Sequence, residues 1–409
     1  MLGGIVAFFV LLRPGRSPGP SSGSASSAAS TTGASLRESD AQATLAAASP
    51  LRADARVPAA ISCAHGDGRR TQRARGEGPR RDNLLFRVDA GGPVATQPIP
   101  SPDGSVVYVG TLTGDLVAVR MDGTLGWKTN LGDRVYSAPC VDKSGTLFLG
   151  SDAKRFYAVL PDGKVRWKLD VDDDADTAPL LRDDGSVVFA AGRDVIAVSA
   201  TGTVLWRFQA KRKVFTAPAM HPDGFVVVGS QDNRVYAIDA RGNQVWATEL
   251  GADVDGGPVV GDDGSIYVGT DGDEVVKLGP RGAILFRARV AGYVRGMLSL
   301  SRSGDVLAGV YGPAPRQVRL RETDGAVLGA FSVPGTGARD FGVHGGALED
   351  DAGNLYFGAQ DDRIYAVDRQ GTLLWSHLTG GDVDAPPTLL PDGRLIVASD
   401  DGTVYCFGR

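Results

Sequence analysis

The 409 residues carry 56 glycines, 7% aromatics and a net charge of −5. Residues 1–83 hold 11 Arg, no Lys and 6 acids, which leaves 32 basic and 42 acidic groups on residues 84–409; so acidic a body argues against nucleic acid as the main partner. Three cysteines (Cys63, Cys140, Cys406) form no even framework, so disulfides are not expected to staple the fold. The four histidines, His65, His221, His344 and His377, show no metal-ligand spacing.

Leu2 to Leu12 is an unbroken apolar run, short for a membrane span but suited to a signal-peptide core. Residues 1–13 therefore read as a leader or short anchor. Cys63 follows Ala60-Ile61-Ser62 with no apolar run before it, which makes a poor lipid-attachment box. Residues 14–83 are rich in Ser, Ala, Gly, Pro and Arg without a period, a composition expected to stay disordered. Its end (Arg69, Arg70, Arg73, Arg75, Arg80, Arg81) reads as a solvated basic linker, or as a patch drawn to an anionic surface.

From residue 84 to 409 one unit repeats. It reads strand, glycine turn, then a strand ending on an aromatic, as in Ala237 to Gly242 to Trp246. The aromatic slot is filled by Phe86, Trp127, Trp167, Trp206, Trp246, Phe286, Phe331 and Trp375, at spacings of 41, 40, 39, 40, 40, 45 and 44 residues. Each unit opens on a small residue and Pro, as in Ala138-Pro139 and Ala217-Pro218. An Asp-Gly type turn and an alternating strand such as Ser265–Gly269 follow. No window has the helical period.

A period near forty with four strands per unit predicts an all-β, eight-bladed β-propeller of four-stranded antiparallel blades. The C-terminus supplies three strands, and Leu84–Val88 is an orphan fourth. Together they complete the last blade and close the ring, which removes the free edge. The slot aromatic is expected to wedge between blades, with the small Ala of the third strand making room. The sixth unit is irregular: it has Leu298 in place of Pro, and the Pro334–Asp340 loop is inserted after it.

The pattern Ala-x-x-x-x-Gly-x-x-x-Trp, then Ala-Pro, then Asp-Gly-x-(Val/Ile)-Tyr-Val-Gly, resembles the pyrroloquinoline-quinone (PQQ) repeat across residues 84–409. That superfamily holds PQQ- and calcium-dependent dehydrogenases and also non-enzymatic envelope scaffolds, among them an outer-membrane assembly lipoprotein. The enzymes carry a vicinal cysteine pair and a Trp stacked under the quinone. Here the cysteines are far apart and every Trp sits in the repeat slot. The resemblance therefore implies a non-catalytic envelope scaffold that presents its loop faces to protein partners, with no cofactor. A quinoprotein dehydrogenase and a glycan-binding surface module are the alternatives. The implied place is the periplasm or outer envelope, with the N-terminal segment as a tether.

Equivalent positions in a propeller form rings about its axis. Those five and three residues before the first-strand Pro are Arg134/Tyr136, Asp174/Asp176, Lys213/Phe215, Asp253/Asp255, Tyr293/Arg295 and Asp382/Asp384, with Pro93/Ala95 and Gly342/His344 completing the set. Residues two apart on an extended segment face the same way, so this ring is expected at one channel mouth. Two outcomes stand open: neighbouring blades pair the charges, or the Arg/Lys and aromatic members form a docking face. Calcium on the Asp pairs is a lesser candidate. The Asp170–Asp176 run lacks the ligand order of an EF-hand loop.

Overall fold

The computed structural model describes residues 63–409, and its regular structure is all β. Eight four-stranded antiparallel sheets follow one another along the chain. They cover residues 99–130, 140–170, 180–209, 219–249, 256–289, 299–332 and 348–378 (blades 1 to 7), then 388–407 together with Leu84–Asp89 (blade 8). Leu84–Asp89 pairs with Thr403–Phe407 as blade 8's outer strand, so the predicted closure is present.

Burial explains which residues form which strand. The middle strands lie between two neighbouring blades and are apolar on both faces: Val187–Ala191 and Asp194–Val198 are buried throughout. The outer strands touch a blade on one side only and alternate accordingly, as in Val165–Asp170. The innermost strands are mostly two residues long, for example Cys140–Val141 and Leu180–Leu181.

The aromatic slot works as a wedge. Trp167, Trp206, Trp246 and Trp375 sit cross-strand from Ala158, Ala197, Ala237 and Ala366. The rings of Trp167, Trp206 and Trp246 cover the turn glycines of the next blades. A Cβ on Gly202 or Gly242 would stand 2.9 Å from Trp167 or Trp206. At Gly163 it would stand 2.8 Å from Trp127. These glycines also have positive φ, 85°, 86° and 85°, so both backbone and space select against a side chain. Phe86 covers Gly123 of blade 1 in the same way, which carries the wedge across the ring closure.

The small third-strand partner is not universal. Lys277 faces Phe286 and Cys406 faces Phe86. In blade 6 the slot opposite Arg319 holds Gly329, and Phe331 lies two residues further along, opposite Gln317. Phe331 still docks on blade 7, with ring centroids 5.9 Å from Phe357 and 5.4 Å from Tyr365. Phe331 lies six residues after the turn glycine Gly325, where the slot aromatics of blades 1 to 5 and 7 lie four after theirs. The vacated place is taken by buried Arg319, bonded to Asp305 at 2.9 Å and 3.7 Å from Glu349.

Residues 63–83 correct two expectations. The linker read as disordered over 14–83 is packed from Cys63 onward; residues 14–62, like the leader-like 1–13, lie outside the described residues. Cys63 and Cys140 form a disulfide across 77 residues. An odd cysteine count does not exclude one bridge plus a free thiol, and Cys406 is that buried thiol. The basic run is also partly consumed. Arg70 is fully buried, and Arg69 and Arg73 pair with Asp262 at 2.6 and 3.2 Å.

This segment stands in for chain that blade 8 lacks. Trp127 and Trp167 donate their Nε1–H to Pro161 and Ala200, turn carbonyls of the following blade. Trp375 has no third-to-fourth-strand turn to meet in blade 8, and it donates instead to the Pro79 carbonyl at 2.8 Å.

Candidate functional site: two unlike mouths of the central channel

The eight inner strands surround the axis, and residues 63–74 touch every blade there. The Cys63 disulfide reaches blade 2. The His65 N–H donates to Gln97 Oε1 of blade 1 at 2.8 Å. The carbonyls of Gly68, Arg69 and Thr71 accept from Met220, Val260 and Leu300 at 2.7, 3.0 and 3.0 Å, on blades 4, 5 and 6. Ala74 N–H donates to the Glu349 carbonyl of blade 7, and Gln72 Nε2 to the Pro387 carbonyl of blade 8. Arg70 covers blade 3 through the Ala178 and Pro179 carbonyls, and also bonds Pro218 and Ala64. A segment bonded to all eight inner walls crosses the channel, and we call it the strap.

Four carbonyls and no carboxylate receive the Arg70 guanidinium. Burial lowers its pKa to about 10, so it stays charged at neutral pH. Burial, and then the Arg70 charge, pushes the His65 imidazole down to about 3, so His65 is neutral there. An inner strand's free edge exposes carbonyls and amides toward the axis. Buried backbone groups of this kind need partners, and the strap supplies them.

The predicted ring lies at the opposite ends of the same inner strands. Neighbouring turns pair its members rather than leaving them bare. Arg134 Nε reaches Asp152 at 2.9 Å while its guanidinium lies 5.9 Å from the Tyr136 ring. Lys213 lies 3.4 Å from Asp173 and 5.7 Å from the Phe215 ring. Asp253 is 3.5 Å from Arg212. Arg295 is forked onto Asp271 and also bonds Asp340 at 3.0 Å. The Tyr293 ring lies 4.3 and 4.2 Å from the guanidinium groups of Arg295 and Arg339.

Sequence reasoning missed a second ring, built from the turn after each second strand. Gln231 donates to Asp255, Arg295 to Asp271 and Gln360 to Asp384, each pair 24 residues apart. Asp152 meets Asp176 at the same spacing. That constant spacing was available as a signal. In blades 6 and 7 the insertion breaks it: Tyr311 pairs with His344, 33 residues on, at 2.5 Å.

Where two acids meet, burial favours their protonated forms. Burial, then the neighbouring Asp152, raises the Asp176 carboxyl far above its usual range. Asp255 and Asp400 are raised to about 7, first by burial and then by Asp271 and Asp384 respectively. Asp382 and Asp384 are likewise raised, chiefly by burial. Among the described residues, Asp152, Asp174 and Asp176 bring one oxygen each within 4.8 Å of one another, the closest approach to a cation cage. The guanidinium on Asp152 neutralises part of that charge.

Such carboxyls make a stability prediction. An acid raised in the folded state keeps a proton that the unfolded chain releases above about pH 4. Stability is then full below that pH and lost as pH rises toward the folded value, by at most about 1.4 kcal/mol per pH unit for each retained proton. Urea midpoints are expected to fall from pH 5 to pH 8, and Asp176→Asn to flatten the slope. A midpoint that rises over this range contradicts the assignment.

The blade count, the repeat and the wedge define a PQQ-like β-propeller. The family model described as "Outer membrane protein assembly factor BamB" matches residues 70–144, 140–241 and 231–328, and the chain belongs to that family. BamB from Moraxella catarrhalis superposes with a TM-score of 0.67 at 17% identity, over 80% of this chain and 100% of that one. Quinohemoprotein alcohol dehydrogenase from Comamonas testosteroni gives 0.70 at 13% identity, over 85% and 80%. A europium-containing methanol dehydrogenase gives 0.65 at 14%, over 82% and 88%. At these identities the likeness is one of fold. No curated protein matches the sequence. Among the described residues no helix is long and apolar enough to cross a membrane.

Proposed function

We propose that this chain is a non-catalytic propeller of the cell envelope that docks protein partners at the ring mouth. One observation carries the choice of face: the strap crosses the channel at the other mouth, with Ala64, His65, Arg70, Thr71 and Gln72 all buried. The ring mouth keeps exposed cations beside aromatics. Arg134 and Arg339 side chains are 50% and 57% exposed, next to Tyr136 and Tyr293. Arg and Tyr with a desolvated base are the residue types that dominate protein interfaces.

Family membership supports envelope assembly as the setting. The disulfide supports an oxidising compartment, since such bonds persist outside the reducing cytosol. The Cys63 sulfur is committed to that bond, so attachment at this site is not by lipid.

Quinone chemistry finds no fit in these residues. Two of the three cysteines pair across 77 residues rather than as neighbours. The rings of Trp127, Trp167, Trp206 and Trp246 are spent on the next blade's glycines, and Trp375 on Pro79. Arg70 and its carbonyls fill the axis at the strap mouth.

The test is a pull-down from envelope extract with wild type and the Arg134→Glu/Arg339→Glu variant. Arg134 pairs with buried Asp152, so the thermal midpoint is expected to fall for the double variant and to hold for Arg339→Glu alone, while partner recovery per folded molecule falls about tenfold in both, as for loss of a single hot spot. Equal recovery at equal stability would falsify docking at this mouth.

A further inference from the structure

The repeat supplies its own control for one cluster at the ring mouth. Three blade entries hold an acid pair: Asp174/Asp176, Asp253/Asp255 and Asp382/Asp384. Each pair has one counterpart in the turn after the preceding blade's second strand, namely Asp152, Gln231 and Gln360. The three counterparts are placed alike, since their N–H groups donate to the Arg134, Lys213 and Gly342 carbonyls at 2.9, 2.9 and 3.0 Å. At two of the three places the Gln amide donates to the second acid, Gln231 to Asp255 and Gln360 to Asp384. At the third, Asp152 replaces the amide, and an ionised carboxylate has no proton to give Asp176. Where the same turn holds Asp271, its partner is a cation, Arg295.

The exchange leaves buried oxygens without donors. Asp152 Oδ1 and Asp176 Oδ1 have no hydrogen-bond partner, and the Asp152 side chain is only 5% exposed. Such groups call for a positive partner. One oxygen each of Asp152, Asp174 and Asp176 lies within 4.8 Å of the other two. Two oxygens bound to one calcium ion at about 2.4 Å stand at most about 4.8 Å apart, so the three already lie within reach of one ion. Magnesium, at about 2.1 Å, spans at most about 4.2 Å and demands a stricter octahedron. The charge also suits a divalent ion. Arg134 takes the other Asp152 oxygen at 2.9 Å, and Lys213 is turned to Asp173 at 3.4 Å. Three carboxylates against one guanidinium leave two negative charges. Asp174 is partly exposed, which gives an ion its way in from solvent.

We infer that Asp152, Asp174 and Asp176 form a calcium site that ties the second-strand turn of blade 2 to the entry of blade 3. The ion stands where Gln231 and Gln360 place an amide N–H in their own blades, and water completes its oxygen shell. The acid pairs of blades 5 and 8 are not such sites, because an amide already serves them. The site does not depend on partner docking at this mouth.

The experiment is calcium titration of the full chain after chelator treatment and dialysis, read by calorimetry and by the thermal midpoint. Wild type is expected to bind one calcium ion with a Kd of about 10⁻⁴ M, to gain thermal stability from it, and to bind magnesium at least about tenfold more weakly. Asp176→Asn should weaken calcium binding by at least about tenfold, as loss of a charged ligand does. Asp152→Gln, which copies blades 4 and 7, should abolish it. Asp255→Asn, the equivalent change in blade 5, should leave it unchanged. No calcium uptake by the wild type at millimolar concentration, equal affinity for magnesium, or equal loss in Asp255→Asn and Asp176→Asn would overturn the proposal. The wild-type titration decides the matter even if a variant fails to fold.

Discussion

Arg70→Met is expected to lower the unfolding free energy by about 3–5 kcal/mol, read as a fall in the urea midpoint without a change in slope. The guanidinium donates to four carbonyls, three of them on blades 3 and 4. Met matches the volume but leaves those acceptors buried without donors, and each orphan costs about 1–3 kcal/mol before relaxation. Some loss is recovered because a charge no longer has to be buried. Arg70 also adopts a φ of 65°, an unusual conformation for a residue other than glycine, which its four bonds hold in place. A loss below about 1 kcal/mol would show that the strap rests loosely on the ring.

The second large effect concerns the bond itself. Cys140→Ser should destabilise the oxidised protein by about 2–4 kcal/mol, since a cross-link over so long a loop removes much unfolded-chain entropy. The loop spans blade 1 and the start of blade 2, and it includes the strand that closes blade 8. Cys63→Ser should cost the same, and the double variant no more than either single one, because the two sulfurs act as a unit. Thermal unfolding with and without reductant checks this. Wild type plus reductant should match the variants, and additive losses would point to packing at each site instead.

The fold was legible in the sequence because a propeller repeats its constraint eight times. One glycine under one Trp is weak evidence, but the same pair at forty-residue spacing cannot arise from a single local preference. Ring closure was legible because Phe86 carries the slot's signature without its first three strands. Phe331 shows the limit. It has the right composition and nearly the right spacing, yet the register places Gly329 in the slot. Counting from the turn glycine shows why: the slot lies four residues after it in blades 1 to 5 and 7, and four after Gly325 is Gly329.

The candidate site was half legible. The ring positions were readable from the phase of the repeat. Their partners Asp152, Asp271, Gln231 and Gln360 belong to another strand's turn, so a search along one segment passed them by. The strap was invisible for a physical reason. Residues 63–83 have no apolar pattern because they bury backbone and a guanidinium, not side-chain hydrocarbon. Their partners are inner-strand amides and carbonyls that come together only once the blades have closed. Asp262, which takes both Arg69 and Arg73, is 193 residues from the first of them.

The central claim is that the strap seals one mouth and leaves the other for binding. Hydrogen–deuterium exchange on the intact oxidised protein tests it most directly. The amides of Gln72 and Ala74 donate to the His65 and Glu349 carbonyls, within a segment bonded to every blade. Peptides covering residues 63–74 are expected to exchange as slowly as the blade strand Val226–Ser230. Complete exchange of that segment within seconds, as in an unstructured chain, would contradict the account.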